Sequence, residues 1–148
     1  MAKRSYHIVL LEDDRHQIAG FQEILREALG EIEVEQLSCV AEFLDRFEKR
    51  PAKMPDLFVL DAMVDWKNPW TKTKREFDSH SFAHWTGGMR CLETVRKYDS
   101  EVLIIVWSLS KLNPLGKSFD FKRTFLLGKD CAFNGGLVDT VRKLLPTQ

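Results

Sequence analysis

Carboxylates gather at two abrupt boundaries in this chain. Ile8-Val9-Leu10-Leu11 runs straight into Glu12-Asp13-Asp14, and Leu57-Phe58-Val59-Leu60 runs straight into Asp61. Each apolar run is short, partly β-branched and bounded by charge, the pattern of a strand buried on both faces of a parallel sheet. Two such strands side by side bring their carboxyl ends to one edge, where open α/β sheets bind ligands. Carboxylates crowded at that edge repel one another unless a cation lies among them. Hard oxygen donors around one small opening suit Mg²⁺. Either boundary alone is a weak signal, because a helix N-cap or a loop acid gives the same pattern.

The elements that must position these acids can be read along the chain. His7 to Leu11 forms the first strand. His16 to Leu29 follows as a helix with Ile18, Phe21, Ile24, Leu25, Ala28 and Leu29 on one face, and Gly30 stops it. Ile32 and Val34 alternate with acids, which predicts a short, half-exposed edge strand. Ser38 is placed to cap a second helix carrying Val40, Phe43, Leu44 and Phe47. Leu57 to Leu60 is the third strand, and Met89 to Lys97 the third helix. Val102 to Trp107 is a strongly apolar strand ending at Ser108. Pro114 and Gly116 make any helix after it short or displaced. Thr124 to Leu127 is a fifth strand, followed by Gly128 and Lys129, and Gly136 to Leu145 is a last helix. Strand and helix alternate five times, which predicts a doubly wound α/β layer structure in a single domain spanning 1–148.

Composition narrows the function classes. The chain has 148 residues, 22 basic and 22 acidic, so no overall field draws it to nucleic acid or to an anionic membrane. Cys39, Cys91 and Cys131 are widely spaced with no CxxC, the usage of reduced thiols in a cytoplasmic protein. Met1 to Ser5 leads directly into a strand with no signal-peptide core, and no apolar run approaches the ~20 residues that span a bilayer.

Four strand ends thus carry polar residues in a fixed order: Glu12-Asp13-Asp14, Asp61, Ser108 and Lys129. This set resembles the receiver domain of two-component response regulators, over essentially the whole chain. The interval from Ser108 to Lys129 is close to the family's. Gly88-Met89-Arg90-Cys91-Leu92-Glu93 resembles its Gly-led third helix, and Gly136-Leu137-Val138-Asp139-Thr140-Val141 its final helix. The resemblance implies a flavodoxin-like five-stranded parallel sheet of order 2-1-3-4-5 with helices on both faces. It also implies Mg²⁺ held by Glu12, Asp13 or Asp14, by Asp61 and by the backbone carbonyl of Met63. Asp13 is the first choice among the acid run; Asp14 takes its place if the strand ends one residue later. Asp61 would be the phosphoacceptor, a carboxylate nucleophile that forms an acyl phosphate. Ser108 and Lys129 would contact the phosphoryl oxygens, in a reaction governed by positioning and charge neutralisation. Such a protein is a phosphoacceptor, able to assist its own phosphorylation and dephosphorylation, rather than an enzyme with a separate substrate. Its implied partners are a histidine kinase or phosphotransfer protein and a downstream protein. No DNA-binding or enzymatic domain follows Leu145 in this sequence, so output is expected through protein contact or by passing the phosphoryl group on; a receiver excised from a larger protein is the equal alternative.

The chain departs from the family at three places. Asp130 stands where the family has a Pro that shapes the loop after the lysine. Leu109 stands where it has a small residue. These two leave open a phosphorylation-independent pseudo-receiver acting as an interaction module. The third is the segment 62–86 between the third strand and the third helix, in which about 18 residues look inserted. Loops of that length are mostly functional or disordered, and Trp66, Trp70 and Trp85 argue against disorder. Two readings stand, a lid or partner-docking surface and a satellite core. His80 and His84 in this segment have the spacing of zinc ligands but lack a fixed third donor. A Mg²⁺-dependent phosphatase on a similar scaffold is disfavoured, because Met63 rather than an acid stands two residues after Asp61.

Overall fold

The computed structural model describes residues 4–49, 54–61, 87–99, 101–108, 123–128 and 136–145. Among these are five strands and four helices, in the order β1 (Tyr6–Leu11), α1 (Arg15–Leu29), β2 (Ile32–Leu37), α2 (Val40–Lys49), β3 (Leu57–Asp61), α3 (Gly87–Tyr98), β4 (Leu103–Ser108), β5 (Thr124–Gly128) and α4 (Leu137–Leu144). The strands form one parallel sheet in the order β2-β1-β3-β4-β5, as the sequence pattern and the resemblance lead one to expect.

The period-two alternation of the strands sorts their side chains into two cores. Ile8, Leu10, Leu57, Val59, Leu103, Ile105 and Trp107 face α1 and α4, where Phe21, Leu25, Leu137 and Val141 complete the layer. Val9, Leu11, Phe58, Leu60, Ile104 and Val106 face α2 and α3, against Val40, Phe43, Phe47, Cys91, Leu92 and Val95. Both faces of the central strands are therefore covered, which explains why their sequences are apolar throughout rather than alternating. β2 lies at an edge, and its residues are half-buried except for exposed Glu33 and Gln36.

Local chemistry sets the element ends. The Asp14 carboxylate accepts hydrogen bonds from the backbone N–H of His16 (2.9 Å) and Gln17 (3.4 Å), and so starts α1. Gly30 closes it in the left-handed region at φ 84°, with its N–H donating to Arg26 O at 2.8 Å. Ser38 enters the start of α2 through its backbone rather than by capping with its hydroxyl. Its N–H donates to the Glu42 carboxylate at 2.8 Å. α3 begins at Gly87, two residues before the sequence reading places it, and Gly87 and Gly88 form its buried first turn. At the other end of α3, the Arg96 guanidinium donates to Val102 O (2.7 Å), Arg123 O (3.1 Å) and Thr124 Oγ1 (2.7 Å), tying the helix to the starts of β4 and β5.

Candidate metal and phosphoryl site

The register of the central strands determines what meets at the carboxyl edge. β1 and β3 pair with Leu11 beside Leu60, so the residues that follow each strand emerge together. β3 and β4 pair with Asp61 beside Trp107. Asp61 has the strand parity of Leu57 and Val59 and therefore lies on the α1 side of the sheet, the side occupied by Trp107. Trp107 is fully buried and meets Phe21 of α1 edge to face, with ring centroids 4.8 Å apart. These two rings were not singled out in the sequence; together they make a rigid apolar layer on the face that carries Asp61.

Glu12, Asp13 and Asp61 form one carboxylate group, with an oxygen of each within 4.8 Å of the others. Their surroundings differ. Glu12 and Asp61 are buried, at 1% and 5% exposure, while Asp13 is exposed. Glu12 Oε1 accepts the backbone N–H of both Asp13 and Asp14, each at 3.2 Å. That bifurcated contact folds the acid run back on itself just after β1. Asp14 is outside the group, because its carboxylate is engaged at the N-terminus of α1.

The donor set fits a small divalent cation. All three groups offer carboxylate oxygens, the donor type that Mg²⁺ and Mn²⁺ select. Two oxygens on one Mg²⁺ lie at most about 4.2 Å apart, since each bond is about 2.1 Å long. The oxygens lie within 4.8 Å of one another, close to that range, and exposed Asp13 leaves the group open to water, which Mg²⁺ retains when bound.

The remaining sequence-derived residues reach the edge to different extents. Ser108 ends β4 and pairs with Gly128, the last residue of β5, so both strands terminate at the edge that carries the acids. Lys129, Met63, Leu109, Asp130 and Cys131 lie outside the described residues, as do the segment 62–86 with its histidines and tryptophans, and the region of Pro114 and Gly116. Among the described residues no helix is long and apolar enough to cross a membrane.

No protein-family model matches the sequence, and no curated protein matches it. Solved structures do match in fold. The phosphorylated cyanobacterial phytochrome response regulator RcpA is 19% identical, with a TM-score of 0.69, covering 98% of this chain and 97% of that one. A response regulator receiver protein from Sinorhizobium medicae is 18% identical, with a TM-score of 0.67 and coverage of 96% and 95%. The Mn²⁺-bound form of response regulator Rcp1 is 13% identical, with a TM-score of 0.64 and 97% of each chain covered. With its parallel sheet of order β2-β1-β3-β4-β5 and near-complete mutual coverage with these structures, the chain has the CheY-like fold of response-regulator receiver domains.

Proposed function

We propose that this chain is a receiver module that accepts a phosphoryl group on Asp61 with the help of Mg²⁺, and that it signals by protein–protein contact. The observation that carries the reading is the meeting of Glu12, Asp13 and Asp61 at the carboxyl edge of the sheet. The solved structures of phosphorylated RcpA and of Mn²⁺-bound Rcp1 support it by analogy of fold.

The chemistry follows from the residues. A carboxylate oxygen of Asp61 forms a new bond to phosphorus as the bond to the donor's leaving group breaks, and the leaving group departs with the electron pair. The product is an acyl phosphate on Asp61. Burial of Asp61 beside β4 fixes its approach, so little orientational freedom is lost in reaching the in-line geometry. Glu12 and Asp13 would hold the Mg²⁺ together with Asp61 and, by resemblance, the Met63 carbonyl. The ion would neutralise charge on the phosphoryl oxygens. Ser108 would donate a hydrogen bond to one phosphoryl oxygen and Lys129 would place a positive charge on another. The donor would be a histidine kinase or phosphotransfer protein. The resulting charge would shift a two-state equilibrium that a downstream protein reads.

The second reading, a phosphorylation-independent interaction module, rests on Asp130 and Leu109, which stand where receiver domains have Pro and a small residue. Intact-mass analysis after incubation with Mg²⁺ and acetyl phosphate separates the two. The proposal expects addition of one phosphoryl group to the wild type and none to Asp61→Asn. Equal labelling of both proteins refutes Asp61 as the nucleophile, and an unlabelled wild type supports the interaction module.

A further inference from the structure

Gln36 stands on β2, outside the acid run, yet its side chain reaches the run's backbone. Its Nε2 donates to the carbonyl oxygen of Glu12 at 3.3 Å and to Ser38 Oγ at 3.4 Å. The backbone pairing of β1 with β2 ends at Leu11 and Leu37, and the Glu12 N–H donates to Leu37 O at 3.0 Å. Past that point the chain turns into α2, with the Ser38 N–H directed to Glu42. The Gln36 amide thus extends the ladder by one bond from a side chain.

The bond falls on a critical peptide unit. The Glu12 carbonyl belongs to the peptide that joins Glu12 to Asp13, and the N–H of that peptide donates to Glu12 Oε1 at 3.2 Å. The plane is therefore held at its oxygen by Gln36 and at its nitrogen by the Glu12 carboxylate. Its orientation sets where the exposed Asp13 carboxylate points relative to buried Glu12 and Asp61. A donor lost at the oxygen removes one of the bonds that hold this plane, and so loosens the direction in which Asp13 points.

We infer that Gln36 is a positioning residue for the cation site: its bond to the Glu12 carbonyl orients Asp13 toward Glu12 and Asp61. This rests on the reading of that group as a divalent-metal site. Gln36 would touch neither metal nor phosphoryl group and would act through Asp13.

The test uses the full chain and titrates Mn²⁺ and Mg²⁺ alone, well below every unfolding midpoint, into wild type, Gln36→Met and Val34→Ala. Gln36→Met keeps the length of the side chain and removes its donor. Val34→Ala weakens the same strand without touching the acid run. The expected result is affinity about two- to tenfold weaker in Gln36→Met, the scale of one side-chain hydrogen bond, and unchanged in Val34→Ala. The amide resonance of Asp13 in the metal-free protein should also move in Gln36→Met and stay in place in Val34→Ala. Equal affinity in wild type and Gln36→Met overturns the inference while the metal site stands. Equal weakening in both variants overturns it as well, by assigning the effect to the strand. A wild type that binds neither ion removes the metal site itself, and the inference with it.

Discussion

Substitution of Asp13 by Asn should stabilise the metal-free protein and abolish its response to Mg²⁺. Asp13 shares a group with Glu12 and Asp61 whose oxygens lie within 4.8 Å of one another. Two unit charges at that distance interact by about 0.9 kcal/mol in water and about 3.5 kcal/mol at the effective dielectric of a protein surface. Asp13 is exposed, so solvent screening places each interaction below the lower figure. Relief from two neighbours is then worth at most about 1 kcal/mol, a midpoint rise of about 2–4 °C in a chain of this size. Asn keeps the side-chain shape, and the Asp13 backbone N–H keeps its bond to Glu12 Oε1. Thermal melts in low salt without divalent ions should show the gain, and added NaCl should shrink it. With Mg²⁺ at ten times its dissociation constant the wild type gains about 1.4 kcal/mol by mass action while the variant gains nothing. The order of stability should therefore close up or reverse on adding Mg²⁺. A metal-free Asp13→Asn protein less stable than wild type, or one that gains as much from Mg²⁺ as wild type does, would refute the reasoning.

Other perturbations test the framework. Glu35→Ala leaves the buried guanidinium of Arg46 without its ion-pair partner and should cost about 1–3 kcal/mol in urea melts, whereas Glu35→Leu with Arg46→Met should cost less. Gly30→Ala has open space around the new Cβ but sits at φ 84°, so it should lose about 1 kcal/mol from backbone strain alone. Burial, and secondarily nearby Cys39, push the Cys91 thiol well above its ordinary value of 9.0. The folded protein keeps that proton while the unfolded chain releases it, so this stability is complete below pH 9 and declines as pH rises beyond it; Cys91→Ala should flatten the decline. Replacing the central part of 62–86 by a short Gly-Ser linker should preserve cooperative unfolding and alter partner binding or the lifetime of the phosphoryl group, since loop closure changes by only about 1 kcal/mol. A loss of several kcal/mol, on the scale of aromatic core deletions, would assign the segment to the core instead.

The sheet was legible because its physics is written in runs. Strands covered on both faces must be apolar at every position, and Ile8 to Leu11, Leu57 to Leu60 and Val102 to Trp107 meet that demand within two residues of the observed limits. The helices showed through their spacing, although α3 starts at Gly87 because the glycine pair forms its buried first turn. The convergence of Glu12, Asp13 and Asp61 was legible as well, because parallel strands in register must deliver their carboxyl ends to one edge. The role of Gln36 left no trace in the pattern. A polar residue on an edge strand reads as a solvated position, and a bond from its side chain to another strand's backbone has no sequence period. The Phe21–Trp107 contact was hidden for a related reason, since both residues read only as core.

The acid run shows how far residue type alone can carry an assignment. Glu12, Asp13 and Asp14 are adjacent and chemically alike, yet the backbone gives each a different task. β1 ends at Leu11, and from there the chain must both leave the sheet and start a helix within three residues. The last of the three therefore supplies the N-cap, because only a short acceptor at that position reaches the His16 and Gln17 N–H groups. The first stays under the cover of the sheet edge, where burial requires hydrogen bonds to its carboxylate, and the N–H groups of Asp13 and Asp14 provide them. Asp13, between them, keeps an exposed carboxylate within reach of Asp61. Had β1 run one residue longer, the tasks would have moved along the run, and Asp14 would have stood where Asp13 does. The strand terminus, more than the identity of the acids, thus decides which exposed carboxylate stands beside Glu12 and Asp61.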